Sequence, residues 1–346
     1  MLLIHPTYTR LIPIDDGIVY IIDHQPQLAQ LVARIEADVE TGSIYRRQSY
    51  NNIEQFILIY GIDVEHVYME DYLTWKDFPY PYTCVPFYFL EECKHFLTNA
   101  ALGEYSDEQC CFVMMNKIRE HRLLVSAWFN QNKNIDFDYS QGWTSEDRDF
   151  SSLEELTRLT HYKLDGFLDK KFIPYKGSSV TSNQSHDGYH AGEGNVAIWN
   201  NLFKEQFCSS TFSVITEPPF WENGCMITEK YLMTLYGCCF PIFCGGGYRI
   251  ADELTNIGFD VFNDVIDHSY QYEEHPGLRV LNALERNREL LENHSFKKLN
   301  YMDRHLKNLS LVREHFDSFK LQFSNSQFDR YQSSRNSQFD RYQSSL

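Results

Sequence analysis

The sequence predicts an α/β fold, because short apolar runs typical of buried strands alternate with segments of helical periodicity. The clearest strand-like runs lie at residues 17–22, 56–60, 110–115 and 212–216. Apolar residues at helical spacing follow the third run, at positions 123, 124, 127 and 128. A chain of 346 residues is also long enough for two domains.

We divide the chain into four parts: an α/β domain at residues 1–107, a second at 108–280, C-terminal helices at 281–324, and a repetitive end at 325–346. The second domain is the more clearly patterned of the two α/β domains. Its expected elements are a strand at 110–115, a polar surface excursion at 130–195, helices at 195–207 and from 229 to 237, strands at 212–216 and 240–244, a helix ending at Gly258 and a strand at 259–262.

Charge and composition exclude several classes of protein. The formal net charge is −17, so the chain lacks the basic character that sequence-independent nucleic-acid binding requires. The count of nine cysteines is odd and includes no C-x-x-C pair, which favours buried thiols in a reducing compartment. No apolar run is long enough for a transmembrane helix, and the N-terminus lacks the pattern of a signal peptide. We therefore expect a cytoplasmic protein.

The run Thr228-Glu229-Lys230 is the first candidate binding feature. Thr228 is a favourable N-cap for the helix that follows, and Lys230 then lies at the end of the helix where a cation is disfavoured. A bound phosphate would reverse that cost, and Glu229 could accept hydrogen bonds from a ribose diol. Carboxylate and ammonium together suit a nucleoside diphosphate; a capped helix with two exposed charges is the alternative.

A second group of cations lies where the strand at 110–115 gives way to a helix. Arg119, His121 and Arg122 occupy this turn, which is again the wrong end of a helix for positive charge. A diphosphate would account for this group too, although a basic surface turn is also possible. Because strand ends of an open α/β sheet share one edge, both groups are expected at one ligand-binding edge.

Three segments resemble the donor-binding core of the α1,3-fucosyltransferases, glycosyltransferase family 10. They are residues 212–217, which end in Glu217, residues 226–230 with the Thr-Glu-Lys sequence, and residues 237–245 with glycine at both ends. The segment from Phe112 to Asn116, with Arg122, resembles the first strand of that domain and its phosphate-contacting arginine.

The resemblance implies a GT-B fold, in which two Rossmann-like domains face a cleft: residues 1–107 on the acceptor side and 108–280 binding the nucleotide-sugar donor. It implies transfer of a sugar, fucose or a similar one from a GDP-type donor, to a glycan acceptor, without a metal or other cofactor. The implied donor-site residues are Asn116, Arg119, Arg122, Glu217, Thr228, Glu229 and Lys230. A non-catalytic carbohydrate-binding or assembly protein with the same fold is the alternative.

The sequence departs from the family at two places. Pro218-Pro219 follows Glu217, and the spacing to Glu229 is longer than usual, so Glu222-Asn223 is a second candidate for the role of Glu217. No segment matches the one that carries the family's catalytic carboxylate. A general base stays unassigned, with four acidic residues after a predicted strand as candidates: Asp63, Glu65, Glu70 and Asp71.

Other signals have structural explanations. Gly245-Gly246-Gly247 is expected to be a close-approach turn near the ligand or a purely structural turn. The D-x-D at 136–138 is expected to be chance, and His186 and His190 are expected to lie in a polar loop without a metal. The basic stretch 296–323 could dock on the body, form an oligomer or contact an anionic membrane. The repeats at 325–346 have an eleven-residue period that suits either a helical stripe or disorder.

Overall fold

The computed structural model describes five short strands before residue 76 and most of the chain after residue 81. The described residues are 2–4, 11–14, 18–21, 67–70, 72–75, 82–115, 120–132, 134–141, 193–217, 224–293 and 295–322. The predicted strand at 56–60 and the repeats at 325–346 lie outside them. The fold is mixed α/β with parallel strands, which confirms the predicted class at that level.

The N-terminal sheet has five strands, four of which run parallel to a neighbour. Its members are β1 (Leu2–Ile4), β2 (Leu11–Ile14), β3 (Ile18–Ile21), β4 (Val67–Glu70) and β6 (Tyr82–Val85). The order is β2-β3-β1-β4-β6, and β2 is antiparallel to β3. The predicted strand at 17–22 corresponds to β3.

The second sheet has four strands, all parallel, in the order β11-β9-β7-β8. They are β7 (Gln109–Met115), β8 (Phe137–Gln141), β9 (Ser210–Ile215) and β11 (Phe240–Phe243). β7, β9 and β11 are almost wholly buried, as expected for parallel strands covered on both faces. The sequence predicted a surface excursion over residues 130–195, but β8 lies within this range and belongs to the sheet. The polar residues of β8 gave no sign of a buried strand.

Two further strands join the N-terminal and C-terminal parts of the chain. β5 (Tyr72–Trp75) pairs antiparallel with β10 (Gly224–Met226), and Trp75 lies opposite Gly224. β10 lies in sequence between β9 and the Thr-Glu-Lys run. A segment next to the candidate site is therefore held by a strand from the first quarter of the chain.

Nine α-helices lie within the described residues. They are α1 (Phe87–Asn99), α2 (Glu120–Gln131), α3 (Glu193–Ile198), α4 (Lys204–Ser209), α5 (Glu229–Tyr236), α6 (Ile250–Asn256), α7 (Pro276–Arg286), α8 (Arg288–Glu292) and α9 (Met302–Gln322). A π-helical segment at Trp199–Phe203 joins α3 to α4, and short 3₁₀ helices cover Ser269–Tyr272 and Lys298–Tyr301. None of the helices described is long and apolar enough to cross a bilayer.

Alternate residues of the second sheet face two separate cores, as the period of two in a strand requires. Phe112 and Met114 of β7 pack in one core with α1, α4, α5 and α9, whereas Val113 and Met115 pack in the other with α2 and α7. The result is a three-layer α/β/α unit. α1 precedes the predicted domain boundary at residue 107, yet it packs in this unit.

The predicted strand at 259–262 is wrong. Phe262 has a φ of 61°, and the Asp260 carboxylate accepts a hydrogen bond from the Phe262 backbone N–H at 2.8 Å. Asp260 is also held from α9, where the Arg304 Nε donates to it at 2.6 Å. The apolar Phe-x-Val-Phe pattern therefore belongs to an irregular segment that anchors α9. Gly258, with a φ of 98°, lies just past the end of α6 as predicted.

Lys298 attaches the C-terminal segment to the amino end of the second sheet. Its side chain is fully buried, and its ammonium donates to the carbonyl oxygens of Phe207, Cys208, Ser210 and Gly237 at 2.7–3.2 Å. These carbonyls belong to the carboxyl ends of α4 and α5, where the helix dipoles favour a cation. Together with the packing of α9 on α1 and α5, this contact makes residues 295–322 part of the folded unit.

Candidate functional site

The candidate site lies at the carboxyl edge of the four-stranded sheet. The chain leaves β7 towards β8 and then returns past β7 to form β9, so the order of connection reverses between β7 and β9. In open α/β sheets, ligands bind outside the carboxyl ends of the strands at such a reversal. The segments that follow β7 and β9 therefore define the expected location of a ligand.

Arg122 links these two segments. It lies in the first turn of α2, its side chain is buried, and its Nε donates to the Thr216 hydroxyl at 3.2 Å. Its Nη2 donates to the Thr216 carbonyl at 3.0 Å. Thr216 in turn donates to the carbonyl of Met114 in β7. The predicted phosphate-binding arginine is therefore placed at the strand reversal, with part of its guanidinium used to join β7 to β9.

Glu217 directly follows β9 and is fully buried. One carboxylate oxygen accepts the backbone N–H of Thr228 at 2.8 Å, and the other accepts the Thr228 hydroxyl. Burial raises the pKa of Glu217, and the nearby charge of Lys230 opposes that rise. Both oxygens of Glu217 organise the start of α5, and the ligand contact expected for this residue stays a prediction.

Thr228 is the N-cap of α5, as predicted. Its extended backbone and its hydroxyl, which accepts from the Lys230 N–H at 3.4 Å, fit a capping residue. The same hydroxyl lies 3.1 Å from the Lys230 Nζ. The Lys230 side chain therefore bends back over the amino end of its own helix, where the helix dipole is unfavourable to it.

Lys230, Glu217 and Glu229 form a compact ionic group at this helix end. The Lys230 Nζ lies 2.7 Å from Glu229 Oε1 and 3.6 Å from Glu217 Oε2. The side chains of Lys230 and Glu229 retain only 10% and 13% of their exposure. The two carboxylates offset the unfavourable helix position of the ammonium, and the three side chains together carry one net negative charge when all are ionised.

The three glycines at 245–247 bring a turn into close contact with this group. A Cβ at Gly245 would overlap the backbone of Glu217, and one at Gly247 would overlap the carbonyl of Gly224. Gly246 has a φ of 83°, and its carbonyl accepts the Met226 N–H at 3.0 Å. The turn is a close approach to the chain's own backbone, which fixes β10 beside the end of β9; its expected position near a ligand stays a prediction.

The structure brings five of the seven predicted site residues to one edge: Arg122, Glu217, Thr228, Glu229 and Lys230. Asn116 and Arg119 lie outside the described residues, as do Glu222, Asn223, His186 and His190. Of the four candidate bases, Glu70 ends β4, and the other three also lie outside. His121 is buried in α2.

Sequence reasoning missed two features near this edge. Thr216 accepts hydrogen bonds from Arg122, but its position in the sequence is that of an ordinary strand residue. Arg279 of α7 is buried and donates to the Glu273 carbonyl at 3.1 Å, and burial lowers its pKa to about 10. The apolar helical pattern around Arg279 gave no signal, because a single arginine in such a pattern is usually read as exposed.

A polar cavity of about 430 Å³ lies elsewhere, between α6 and the segment 263–272. Its lining includes Asp252, Asp264, Asp267 and His268, and none of the predicted site residues contributes to it. Each of the three aspartates also pairs with an arginine. We place more weight on the strand reversal than on cavity size, because the cavity contacts neither β7 nor β9.

No protein-family model, curated protein or solved structure matches this chain.

Proposed function

We propose that this chain is a glycosyltransferase of GT-B architecture that binds a nucleoside-diphosphate sugar, fucose or a similar sugar on a GDP-type carrier, and transfers the sugar to a glycan without a metal. The observation that carries the proposal is the buried group of Lys230, Glu229 and Glu217 at the strand reversal. An ammonium for a diphosphate and a carboxylate for a ribose lie side by side there.

Three further features support the proposal. Both main sheets are largely parallel, as two Rossmann-like domains require. Arg122 supplies a second cation at the same edge. The glycine turn at 245–247 lets the backbone pack closely against Glu217 and Gly224, which holds the segments around Lys230 in place. Residues 1–107 would then supply the acceptor side and the general base.

Isothermal titration of the full chain with GDP tests the donor site, using Lys230→Ala as the variant and Lys307→Ala, which removes an exposed lysine of α9, as the control. We expect GDP to bind the wild type and the control equally and Lys230→Ala at least about tenfold more weakly, because a charge-assisted contact to phosphate is lost. Unchanged affinity in Lys230→Ala would refute the assignment. UDP and ADP in the same assay show which base is preferred.

A second candidate function is a carbohydrate-binding or assembly protein that keeps the fold without turnover. The absence of a segment matching the family's catalytic carboxylate favours it. Incubating the protein with GDP-fucose and a panel of glycans separates the two functions. Released GDP together with a fucosylated product supports the enzyme, whereas GDP-fucose binding without either product supports the non-catalytic protein.

We also propose a reducing, cytoplasmic setting for the protein. Eight cysteines among the described residues are free and buried, and they include the adjacent pairs Cys110-Cys111 and Cys238-Cys239. Buried thiols of this kind persist where disulfides are kept reduced. The C-terminal helix α9 docks on the body, and any peripheral contact with a membrane or a second copy would have to use its outer face.

A further inference from the structure

The polar cavity between α6 and the segment 263–272 shares no residue with the ionic group around Lys230. Its volume of about 430 Å³ falls within the range of small-ligand sites, about 300–1,000 Å³. The cavity is open to solvent, since half of its lining residues are exposed. An open cavity of this size suits a ligand that is held at one end and extends into solvent at the other.

Three aspartates line the cavity, and each of them contacts an arginine. The pairs are Asp252–Arg249, Asp264–Arg304 and Asp267–Arg286. A metal ion would have to compete with these arginines, and no group of three or more acidic, histidine or cysteine side chains within the described residues is placed to hold one. A phosphate would have to compete with the aspartates. A neutral ligand can bind without breaking any pair, because paired carboxylates keep unused lone pairs.

Several groups of the lining are available to hydrogen-bond such a ligand. The Asp267 Oδ2 lies 3.8 Å from the Arg286 Nη1, which is too long for a hydrogen bond, and the Asp267 side chain is 47% exposed. The other oxygen accepts the Ser269 N–H at 2.9 Å and so keeps the carboxylate oriented. Asn263 is exposed, and its amide offers both donors and an acceptor. The hydroxyls of a sugar also donate and accept, so they match this mixture of groups.

Tyr272 gives the cavity a fixed aromatic surface. The residue is 50% exposed, and its hydroxyl donates to Asp252 at 3.1 Å. The Arg249 guanidinium lies 5.4 Å from the ring centroid, so the ring is held at its hydroxyl and over one face. The C–H groups on one face of a sugar ring are apolar and pack on such a surface, while the hydroxyls around the edge of the sugar remain free to bind polar groups.

The lining is held in place by its own hydrogen bonds. Gln271 ties the segment 263–272 to α6, because its amide oxygen accepts the N–H groups of Ala251 and Asp252 at 3.0 and 3.2 Å. His268 is buried, and both of its ring nitrogens have partners within 3.1 Å. A ligand therefore meets groups that are already ordered, which lowers the entropic cost of binding.

We propose that the polar cavity is a carbohydrate-binding site for a neutral glycan, with one sugar ring packed on Tyr272 and its hydroxyls bound by Asp267 and Asn263. The proposal goes beyond the function proposed above, because it uses none of the donor-site residues. It holds equally for a chain that transfers a sugar and for one that only binds glycans. Such a site would keep the protein on a long glycan whether or not a nucleotide is bound.

Titration of the full chain with three neutral disaccharides, lactose, maltose and chitobiose, tests the proposal. The cavity variants are Tyr272→Ala, which removes the ring, and Asp267→Asn, which keeps an oxygen for Ser269 but loses the exposed carboxylate oxygen. Leu102→Ala and Asp317→Asn are the controls, since they change exposed side chains that do not line the cavity. We expect at least one disaccharide to bind with a dissociation constant of about 1 mM or lower. Tyr272→Ala should weaken this binding at least about tenfold and Asp267→Asn about threefold, with both controls within about twofold of the wild type.

The proposal is overturned if none of the disaccharides binds the wild type at about 10 mM, or if both cavity variants keep wild-type affinity, because the sugar would then bind elsewhere. Spermidine and inorganic phosphate are charged probes, and binding of either that is tighter than that of every disaccharide and is changed by a cavity variant would also overturn it. Thermal melting identifies a variant that folds poorly, and the other cavity variant then decides. Failure of the proposed function looks different: GDP would not bind, whereas the disaccharide would.

Discussion

The two ends of α5 hold one buried lysine each, and the two lysines are stabilised in opposite ways. Lys230 lies at the amino end, where the helix dipole opposes its charge, and it is held by the carboxylates of Glu217 and Glu229. Lys298 lies at the carboxyl end, where the dipole favours its charge, and it is held by four backbone carbonyls, including that of Gly237.

The difference separates a structural cation from a candidate binding cation. Lys298 adds a charged donor to carbonyls that also accept from the Cys239 thiol or from a backbone N–H, and its charge suits the two helix ends it occupies, so it contributes to stability where it stands. Lys230 needs two carboxylates to offset an unfavourable position, and an anionic ligand would relieve that position directly. Burial alone would not distinguish the two lysines; the end of the helix that each one occupies does.

The largest expected effect is loss of stability on removing the structural cation. Lys298→Met should lower the free energy of unfolding by about 3–5 kcal/mol, because several buried carbonyls lose a charged donor together. Urea denaturation followed by circular dichroism measures the change. The neighbouring exposed residue gives the control: Lys297→Met should change stability by less than about 1 kcal/mol. A similar loss in both variants would contradict the role given to Lys298.

Removing the candidate binding cation should cost less. Lys230→Met is expected to lower the free energy of unfolding by about 1–2 kcal/mol, since Glu217 can take up a proton and so avoid remaining a buried, unpaired charge. The same denaturation experiment measures it. A loss equal to that of Lys298→Met would remove the distinction between the two ends of α5.

The pH dependence of Lys230→Met sharpens this prediction. Burial already raises the pKa of Glu217, so the folded state holds its proton to higher pH than the unfolded state does. Stability contributed by that protonated carboxyl is present at low pH and is lost as pH rises through the folded pKa. Without Lys230 the pKa should rise further, and the variant should lose more stability relative to wild type at pH 8 than at pH 5.

The N-cap of α5 should contribute a smaller amount. Thr228→Val removes a hydroxyl that caps the helix and also donates to Glu217, and we expect a loss of about 1 kcal/mol in the free energy of unfolding. Thr228→Ser keeps the hydroxyl and should lie close to the wild type. Thermal melting of the two variants tests this, and equal melting temperatures would show that the cap is not needed.

The smallest effect at neutral pH concerns His305, which reports on the charge of Lys298. Burial, together with the nearby charge of Lys298, lowers the pKa of His305 to about 3. The unfolded state therefore takes up a proton below about pH 6.5 while the folded state does not, so stability falls as pH drops from there towards the folded pKa. His305→Phe, among the rings of Phe240 and Phe262, should reduce this acid loss by up to about 1.4 kcal/mol per pH unit. Urea denaturation between pH 7 and pH 5 measures the slope, and an unchanged slope would contradict the prediction.

The sequence predicted the parts of the fold that have strong local patterns. The strands at 110–115, 212–216 and 240–244 are apolar because they are buried on both faces, and the helix from 229 to 237 has a threonine cap and a terminal glycine. Local signals of this kind also located Arg122 and Lys230 at one edge, because the ends of parallel strands share it.

Contacts between distant segments could not be predicted in the same way. The family resemblance implied a ligand contact for Glu217, but nothing local showed that its carboxylate would accept hydrogen bonds from Thr228, eleven positions later. Lys298 belongs to a basic stretch for which docking on the body was one of three alternatives, and nothing local shows that two helix ends meet there. At 259–262 a strand-like pattern is overridden by Arg304 and Asn308 of α9, which hold Asp260 in place.

The pairing of β5 with β10 has a consequence for the order of folding. β10 stands between Glu217 and Thr228 in the chain, and its partner strand is separated from it by all the residues between Trp75 and Gly224. Closing so long a loop is entropically costly and is slow compared with local helix formation. We therefore expect the ionic group of Lys230 to reach its final geometry late, after the four-stranded sheet has formed and once the N-terminal strand has docked beside it.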